Sequence, residues 1–159
     1  MVILIDSREQ KADHIIKYLN DHNVDRQQKK LDYGDYSFIL PADPELGIMR
    51  DLYFNDRICI ERKASLEELS GNLAQKRQQF ENELIRSNNV KLVLMIENKD
   101  GYKNIVNGQY DTAYNPKAYL ASLLTFQHRY NIIIQFIDPD YSGQFIRYEF
   151  YYYLREYLK

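Results

Sequence analysis

The alternation of apolar and polar positions predicts strands and helices in turn along the first part of the chain. Residues 2–5 form a short apolar run, and residues 11–22 carry apolar side chains at helical spacing. Short strands are predicted over 24–31 and 36–40, and Gly34 marks a turn between them. The chain therefore begins as strand, helix and two further strands.

The middle of the chain predicts a hairpin followed by a helix. Two strands, over residues 49–54 and 57–63, flank Asn55-Asp56 and are expected to pair around that dipeptide. Ser65 and Glu68 have the spacing of a capping box, in which the serine caps the helix and the glutamate reaches back. A helix is expected to begin after Ser65.

The second half predicts further helices around two buried strands. The first helix is expected to break at Gly71-Asn72, and the remaining elements are a helix over 73–86, a strand over 90–96, a helix from Asn115-Pro116 to about residue 129, a strand over 131–137 and a helix over 142–158. This order predicts an α/β fold with a central mixed β-sheet flanked by helices, its antiparallel part contributed by the early hairpins.

Composition limits the class of protein without naming its function. The 159 residues, 45% hydrophobic and 28% charged, suit one domain over 1–159. The net charge of −2 neither favours nor excludes a nucleic-acid partner, so any basic surface must be local. The single cysteine, Cys59, excludes an internal disulfide and suits a reducing cytoplasm. No apolar run approaches the roughly 18 residues of a membrane span, so a soluble intracellular protein with no membrane partner is expected.

The strand over 57–63 ends in three consecutive charges, Glu61-Arg62-Lys63. Because side chains alternate between faces of a strand, Glu61 and Lys63 point to one face and Arg62 to the other. Residues on one face lie about 6 to 7 Å apart, which lets a carboxylate hold a metal ion while an ammonium touches the adjacent water or phosphate. A carboxylate-held Mg²⁺ would neutralise phosphoryl charge and acidify a water, as phosphodiester hydrolysis requires.

A metal site needs a second acid, and Asp35 is the candidate. It follows Gly34, which lets a turn bring the carboxylate close to its neighbours, and it precedes a predicted strand. Asp35 followed by Glu61-x-Lys63 is the PD-(D/E)xK pattern of metal-dependent nucleases. The same residues also fit a cross-strand ion pair at a sheet edge, so the pattern alone leaves both interpretations open.

Three motifs in order give the sequence a resemblance to a known family. They are IDSRE, which contains Asp6 to Glu9; YGDY, which contains Gly34 and Asp35; and IERKASLE, which contains Glu61 to Lys63 and then Glu67. In these motifs the chain resembles the nuclease domain of the XPF/Hef family of structure-specific endonucleases. The resemblance implies a restriction-endonuclease-like core and a Mg²⁺- or Mn²⁺-dependent endodeoxyribonuclease that acts on branched or otherwise structured DNA.

The resemblance also assigns roles to individual residues. Asp35 and Glu61 would hold the metal, Lys63 would orient the attacking water or stabilise the transition state, and the backbone carbonyl of Arg62 would reach the metal. Asp6, Arg8 and Glu9 would line the site, and Asp6 could also support the metal. The residues expected to contact DNA are Arg8, Arg62, Lys76 and Arg77. Glu67 stands where the family has aspartate, and it either completes the metal site or stabilises the start of its helix.

The partners and setting are also expectations. The final predicted helix has aromatic residues nearly all round, which favours burial or a homodimer contact. The family's usual tandem helix-hairpin-helix modules have no counterpart here, which suggests a stand-alone nuclease of a phage or mobile element. The expected setting is the cytoplasm of a bacterial or phage-infected cell, and the expected partners include other DNA-processing proteins. The alternative function is a non-catalytic DNA-binding or scaffold partner, although the retained acids favour the enzyme.

Overall fold

The structure of the protein, a computed structural model, describes residues 1–159 and contains seven strands and six α-helices. The strands are β1 (Val2–Asp6), β2 (Arg26–Lys29), β3 (Tyr36–Leu40), β4 (Leu52–Tyr53), β5 (Ile58–Lys63), β6 (Lys91–Ile96) and β7 (Ile133–Phe136). The helices are α1 (Asp13–Asp21), α2 (Leu66–Leu73), α3 (Arg77–Arg86), α4 (Gly101–Val106), α5 (Pro116–Tyr130) and α6 (Ser142–Tyr157), and short 3₁₀ turns lie at Pro44–Leu46 and Pro139–Tyr141. None of the helices combines the length and apolar character needed to cross a membrane. The predicted α/β fold around a mixed sheet is confirmed.

The topology of the sheet places several strand ends at one edge. The strand order is β2-β1-β3-β5-β6-β7, with β4 paired to β3. Strands β5, β6 and β7 are parallel, and β3 runs antiparallel to both β1 and β5. The carboxyl ends of β1 and β5 therefore meet the amino end of β3, where Tyr36 pairs with Ile5 on one side and Ile60 on the other.

The predicted hairpin between residues 49–54 and 57–63 is wrong. Strands β4 and β5 do not pair with each other; both pair antiparallel with β3, one after the other. The turn between them is closed by the amide of Arg57, which donates to the carbonyl of Phe54 at 2.9 Å. Phe54 is buried and stacks on Phe38 with ring centroids 4.3 Å apart. Burial of this ring keeps the chain in line with β3, and Asn55-Asp56 lacks the glycine that a tight two-residue hairpin favours.

Helix α2 also differs from its prediction. It runs through Gly71 to Leu73, because Leu69 and Leu73 are buried on its inner face and packing outweighs the weak helix propensity of glycine. Its amino end is as predicted: the Ser65 hydroxyl accepts a hydrogen bond from the amide of Glu68 at 3.1 Å. The Glu68 carboxylate reaches back to the amide of Ala64 at 2.8 Å.

Both faces of the sheet are covered by helices, as the order of strands and helices predicts. Ile58 and Ile60 lie in the core beneath α1 and α6, and Cys59 lies in the opposite core beneath α2, α3 and α5. All three are fully buried. A strand that is apolar on both faces therefore delivers its terminal charges to the rim of the sheet, with Glu61 and Arg62 on opposite sides.

Candidate active site

Asp6 ends β1 and holds Arg8. Its Oδ1 accepts hydrogen bonds from the Arg8 backbone amide at 2.9 Å and from Nε at 2.8 Å. Its Oδ2 accepts from Arg8 Nη2 at 3.0 Å and from the Leu31 amide at 2.7 Å. Burial alone would raise the pKa of Asp6, but the bonds from Arg8 and Leu31 outweigh it and hold the pKa below its usual range. Asp6 is thus an ionised anchor for Arg8, and it could join a metal only by giving up one of these donors.

Gly34 positions Asp35 at the amino end of β3. Its φ is +65°, and a Cβ there would lie 2.9 Å from both Cys59 Cβ and the carbonyl oxygen of Ile60. Only glycine fits this approach without strain. The backbone of Asp35 then joins its neighbours on both sides, accepting from the Asp6 amide at 2.8 Å and donating to the Ile60 carbonyl at 2.8 Å.

The carboxylates of Asp35 and Glu61 face the same cleft. Oδ2 of Asp35 accepts from the backbone amide of Arg62 at 2.8 Å, and Oε1 of Glu61 accepts from Lys63 Nζ at 3.1 Å. Burial, followed by the negative charge of Glu61, raises the pKa of Asp35 well above its usual range. Burial also raises the pKa of Glu61, with Lys63 opposing. Two carboxylates that both resist ionisation would each gain from a nearby cation.

Lys63 supplies a buried positive charge beside this pair. Its side chain is only 6% exposed, and its ammonium lies 5.0 Å from the centre of the Phe80 ring. Burial would lower the pKa of Lys63, but the contact with Glu61 outweighs burial and raises it. The ammonium therefore stays protonated at neutral pH and adjoins the cleft through Glu61.

A cleft of about 200 Å³ contains the two carboxylates. Its lining residues are Asp6, Arg8, Asp32, Tyr33, Gly34, Asp35, Glu61, Glu83, Arg86 and Ser87. A second cleft, of about 460 Å³, shares Arg8 and Asp35 with the first and extends to Glu9 and Arg62. The largest cleft, about 690 Å³ between α1 and β2, contains none of the predicted site residues, which line the smaller clefts instead.

Arg62 points to the opposite face from Glu61 and forms a buried network. Its guanidinium, 4% exposed, contacts Glu9 at 3.0 and 3.1 Å, Glu97 at 3.2 Å and the carbonyl of Gln10 at 2.7 Å. Glu97 is in turn 2.8 Å from Nε2 of His14. With four such contacts, the Arg62 side chain braces the strand end that holds Asp35 and is not presented to DNA.

Three other predicted residues lie away from the cleft. Oε1 of Glu67 accepts from the Asp111 amide at 2.9 Å, and this bond is the largest cause of its lowered pKa. Arg77 donates to the Ser122 hydroxyl at 2.9 Å and lies over the Phe126 ring, facing α5. Lys76 is exposed at the start of α3. None of them lines the clefts that contain Asp35.

The oxygen ligands available here fit a hard divalent cation that takes few of its ligands from the protein. No group of three or more Asp, Glu, His or Cys side chains is assembled as metal ligands. Asp35 and Glu61 offer two carboxylates, and the Arg62 carbonyl lies between Glu61 and Lys63 in the chain. Mg²⁺ is commonly held by one or two carboxylates, with water and substrate phosphate completing its shell. A pair of carboxylates with raised pKa values matches that chemistry.

Several residues of this region were not identified from the sequence. Asp32 lines the cleft because the turn at Gly34 places it there. The nearby glycine is the one feature of the sequence that could have indicated this position. Glu83, Arg86 and Ser87 come from the carboxyl end of α3. A sequence with no known helix orientation carries no signal for these three.

The sheet topology is that of a restriction-endonuclease-like fold, and Asp35, Glu61 and Lys63 lie together at the rim of the sheet. The model of the ERCC4 domain family matches residues 5–148, and the chain belongs to that family. This family match confirms the resemblance to the XPF type of nuclease domain that the three motifs indicate.

A solved structure supports the fold. The chain is similar to "XPF from Aeropyrum pernix", with a TM-score of 0.68 and 19% sequence identity over 98% of this chain. It spans 66% of the length of that chain, slightly under two thirds. No curated protein matches it in sequence. At this identity the similarity establishes the architecture, and the predicted restriction-endonuclease-like core is confirmed.

Proposed function

We propose that this domain is a Mg²⁺- or Mn²⁺-dependent DNA endonuclease. The observation that carries the proposal is the pairing of Asp35 and Glu61 in one cleft, both with raised pKa values, beside the protonated Lys63. Membership of the ERCC4 domain family also supports a nuclease function. An ion pair serving stability alone would not need a second carboxylate, that of Asp35, placed beside it by a turn that only glycine can form without strain.

Each of the three residues has a distinct task in this proposal. Asp35 and Glu61 would hold the divalent cation, with the Arg62 carbonyl as a third oxygen donor, and the cation would supply Lewis acidity to a phosphoryl oxygen and a water. Lys63, fixed by Glu61, would stabilise negative charge that develops on the phosphate. The water oxygen would bond to phosphorus as the bond to the 3′ oxygen breaks, which leaves a 5′-phosphate and a 3′-hydroxyl.

The substrate proposed is branched or otherwise structured DNA. The test incubates the protein with labelled flap, fork, junction, single-stranded and duplex DNA, with and without Mn²⁺. Glu61→Gln is the test variant and Glu45→Gln, an exposed loop glutamate, is the matched control. We expect metal-dependent cutting by the wild type and by Glu45→Gln, and a loss of at least 100-fold in Glu61→Gln.

Equal cutting by Glu61→Gln would overturn the site assignment. The absence of cutting on every substrate, together with retained DNA binding, would instead favour the non-catalytic DNA-binding or scaffold alternative.

A homodimer contact on α6 is proposed as well. Ile146, Phe150 and Leu154 face the core, whereas Tyr148, Tyr151 and their neighbours on the other side are exposed. The rings of Tyr148, Tyr151 and Tyr152 lie 5.2 to 6.4 Å apart, forming a continuous aromatic face. Exposed aromatic clusters are typical of protein interfaces. Sedimentation equilibrium of the wild type and of Tyr151→Glu/Tyr152→Glu tests this: the proposal requires a dimer that the double variant loses.

A further inference from the structure

Almost every cation near the candidate site is already neutralised by a carboxylate. Arg8 is bound to Asp6 at 2.8 Å, and Lys63 to Glu61 at 3.1 Å. The Arg62 guanidinium is held by two glutamates and is buried. A phosphate that approached these three groups would have to compete with carboxylates that already occupy them.

Arg86 is the exception. It lines the cleft that contains Asp35 and Glu61, is exposed, and forms neither an ion pair nor a side-chain hydrogen bond with the protein. Glu83 lies one turn earlier on the same helix and lines the same cleft, yet the two are not paired. Arg86 therefore presents a guanidinium without an ion-pair partner beside the two carboxylates.

The position of Arg86 is fixed by the packing of α3. Phe80 and Leu84 are buried on its inner face, and Ser87 is buried, donating from its hydroxyl to the Leu84 carbonyl at 3.2 Å. Arg86 occupies the last turn of the helix, where the helix dipole favours a cation. The backbone of Arg86 is therefore fixed, and its exposed side chain can adopt the conformation that contacts a ligand.

The electrostatics of the cleft explain why such a residue is needed. Five carboxylates line it, from Asp6, Asp32, Asp35, Glu61 and Glu83, against two guanidiniums. The carboxyl end of α3 adds partial negative charge. A DNA phosphate would meet net repulsion here unless a bound cation and a free guanidinium both offset it.

We propose that Arg86 binds a phosphate of the DNA backbone at the mouth of this cleft. Its guanidinium would donate to phosphate oxygens and so place the DNA strand against Asp35 and Glu61. The inference rests on the proposed nuclease function for its choice of ligand. It replaces Arg77, whose guanidinium is engaged with Ser122 and Phe126, as the basic residue of α3 that contacts DNA.

The test measures DNA affinity as a function of salt. A fluorescein-labelled 20-base-pair duplex with two single-stranded arms is titrated with protein by anisotropy at 50 to 300 mM KCl. Ca²⁺ replaces Mg²⁺, and a gel verifies that the DNA stays intact. The proteins are wild type, Arg86→Ala, Arg86→Lys and Arg50→Ala, the last an exposed arginine beside β4 at the opposite end of the sheet.

We expect Arg86→Ala to weaken binding about five- to tenfold at 100 mM salt and to lower the slope of log K against log salt by about one, because one fewer counterion is released. Arg86→Lys should retain the slope, since the charge remains, and Arg50→Ala should match the wild type. A merely structural role for Arg86 would not change the slope.

The outcomes separate this inference from the proposed function. An Arg86→Ala slope equal to that of the wild type would overturn the inference, even if the wild type cuts DNA. Wild-type protein that binds with the expected slope change but never cuts in Mg²⁺ or Mn²⁺ would support Arg86 as a phosphate contact and overturn the endonuclease proposal. Salt-independent binding, or no binding, by the wild type would overturn the inference.

Discussion

Removal of the Glu97 carboxylate is expected to destabilise the fold strongly. Glu97 is 5% exposed at the end of β6, 3.2 Å from Nη1 of Arg62 and 2.8 Å from His14. Its loss in Glu97→Ala leaves the buried Arg62 with Glu9 and the Gln10 carbonyl as its remaining partners. A guanidinium that is 4% exposed cannot recover the lost partner from water.

The expected magnitude is about 3 kcal/mol. Breaking a buried ion pair by removing one partner costs roughly 3 to 5 kcal/mol, and the two contacts that Glu9 retains place this case at the lower end. The free energy of unfolding of a domain of this size falls by about 2 kcal/mol per molar urea. The urea midpoint of Glu97→Ala should therefore lie about 1.5 M below that of the wild type. Glu97→Gln, which keeps an acceptor oxygen, should give an intermediate value.

Urea unfolding followed by circular dichroism measures this directly. The control is Asp21→Ala, which removes the partner of Lys17 in an exposed pair on α1 and should change stability by less than about 0.5 kcal/mol. If Glu97→Ala lowered the midpoint no more than Asp21→Ala does, the buried Arg62 network would not stabilise the fold.

Three further predictions concern the residues around Asp35. Burial and the charge of Glu61 raise the pKa of Asp35 above its unfolded value, so its ionisation costs stability as pH rises from about 4 upward. In EDTA, the wild type should therefore lose more stability between pH 5 and 7.5 than Asp35→Asn does. Equal losses in the two proteins would contradict this. Gly34→Ala should lower stability by about 1 to 3 kcal/mol through backbone strain alone, and by more because the added Cβ clashes with Ile60. Gly47→Ala is the control that measures backbone strain without a clash, since a Cβ there meets nothing within 4 Å. Burial raises the pKa of the Cys59 thiol, so Ellman's reagent should label it only upon unfolding; rapid labelling of the native protein would disprove its burial.

The core strands could be predicted from sequence because each carries its own signal. The apolar run that ends at Ile96 and the charges that follow Ile60 both lie where predicted. Strand alternation also placed Glu61 and Arg62 on opposite faces correctly, since that alternation is a property of any extended chain. Local patterns determine these features, and no tertiary knowledge is required.

The pairing of β4 and the continuity of α2 depend on contacts that sequence does not encode locally. Phe54 is held by Phe38, sixteen residues earlier, and that contact keeps β4 and β5 in line on β3. Gly71 stays helical because Leu69 and Leu73 are buried by other elements. In both cases a turn or breaker signal was outweighed by packing at a distance.

The candidate site divides in the same way. The short motifs identify Asp35, Glu61 and Lys63, which lie within reach of each other because β3 and β5 are neighbours. Arg86 comes from a helix whose orientation only the folded chain defines, and the sequence gives no signal that Glu97, at the end of a predicted strand, contacts Arg62.

Binding of Mn²⁺ in solution shows whether Asp35 and Glu61 form the proposed divalent-cation site. Isothermal titration of Mn²⁺ into the wild type, Asp35→Asn and the loop control Glu45→Gln gives the affinity without any assumption about the DNA substrate. We expect Mn²⁺ to bind the wild type and Glu45→Gln equally well and Asp35→Asn at least about tenfold more weakly, the loss expected when a ligating carboxylate is removed. Mn²⁺ binding of equal affinity in Asp35→Asn and wild type would contradict the assignment of Asp35 as a metal ligand.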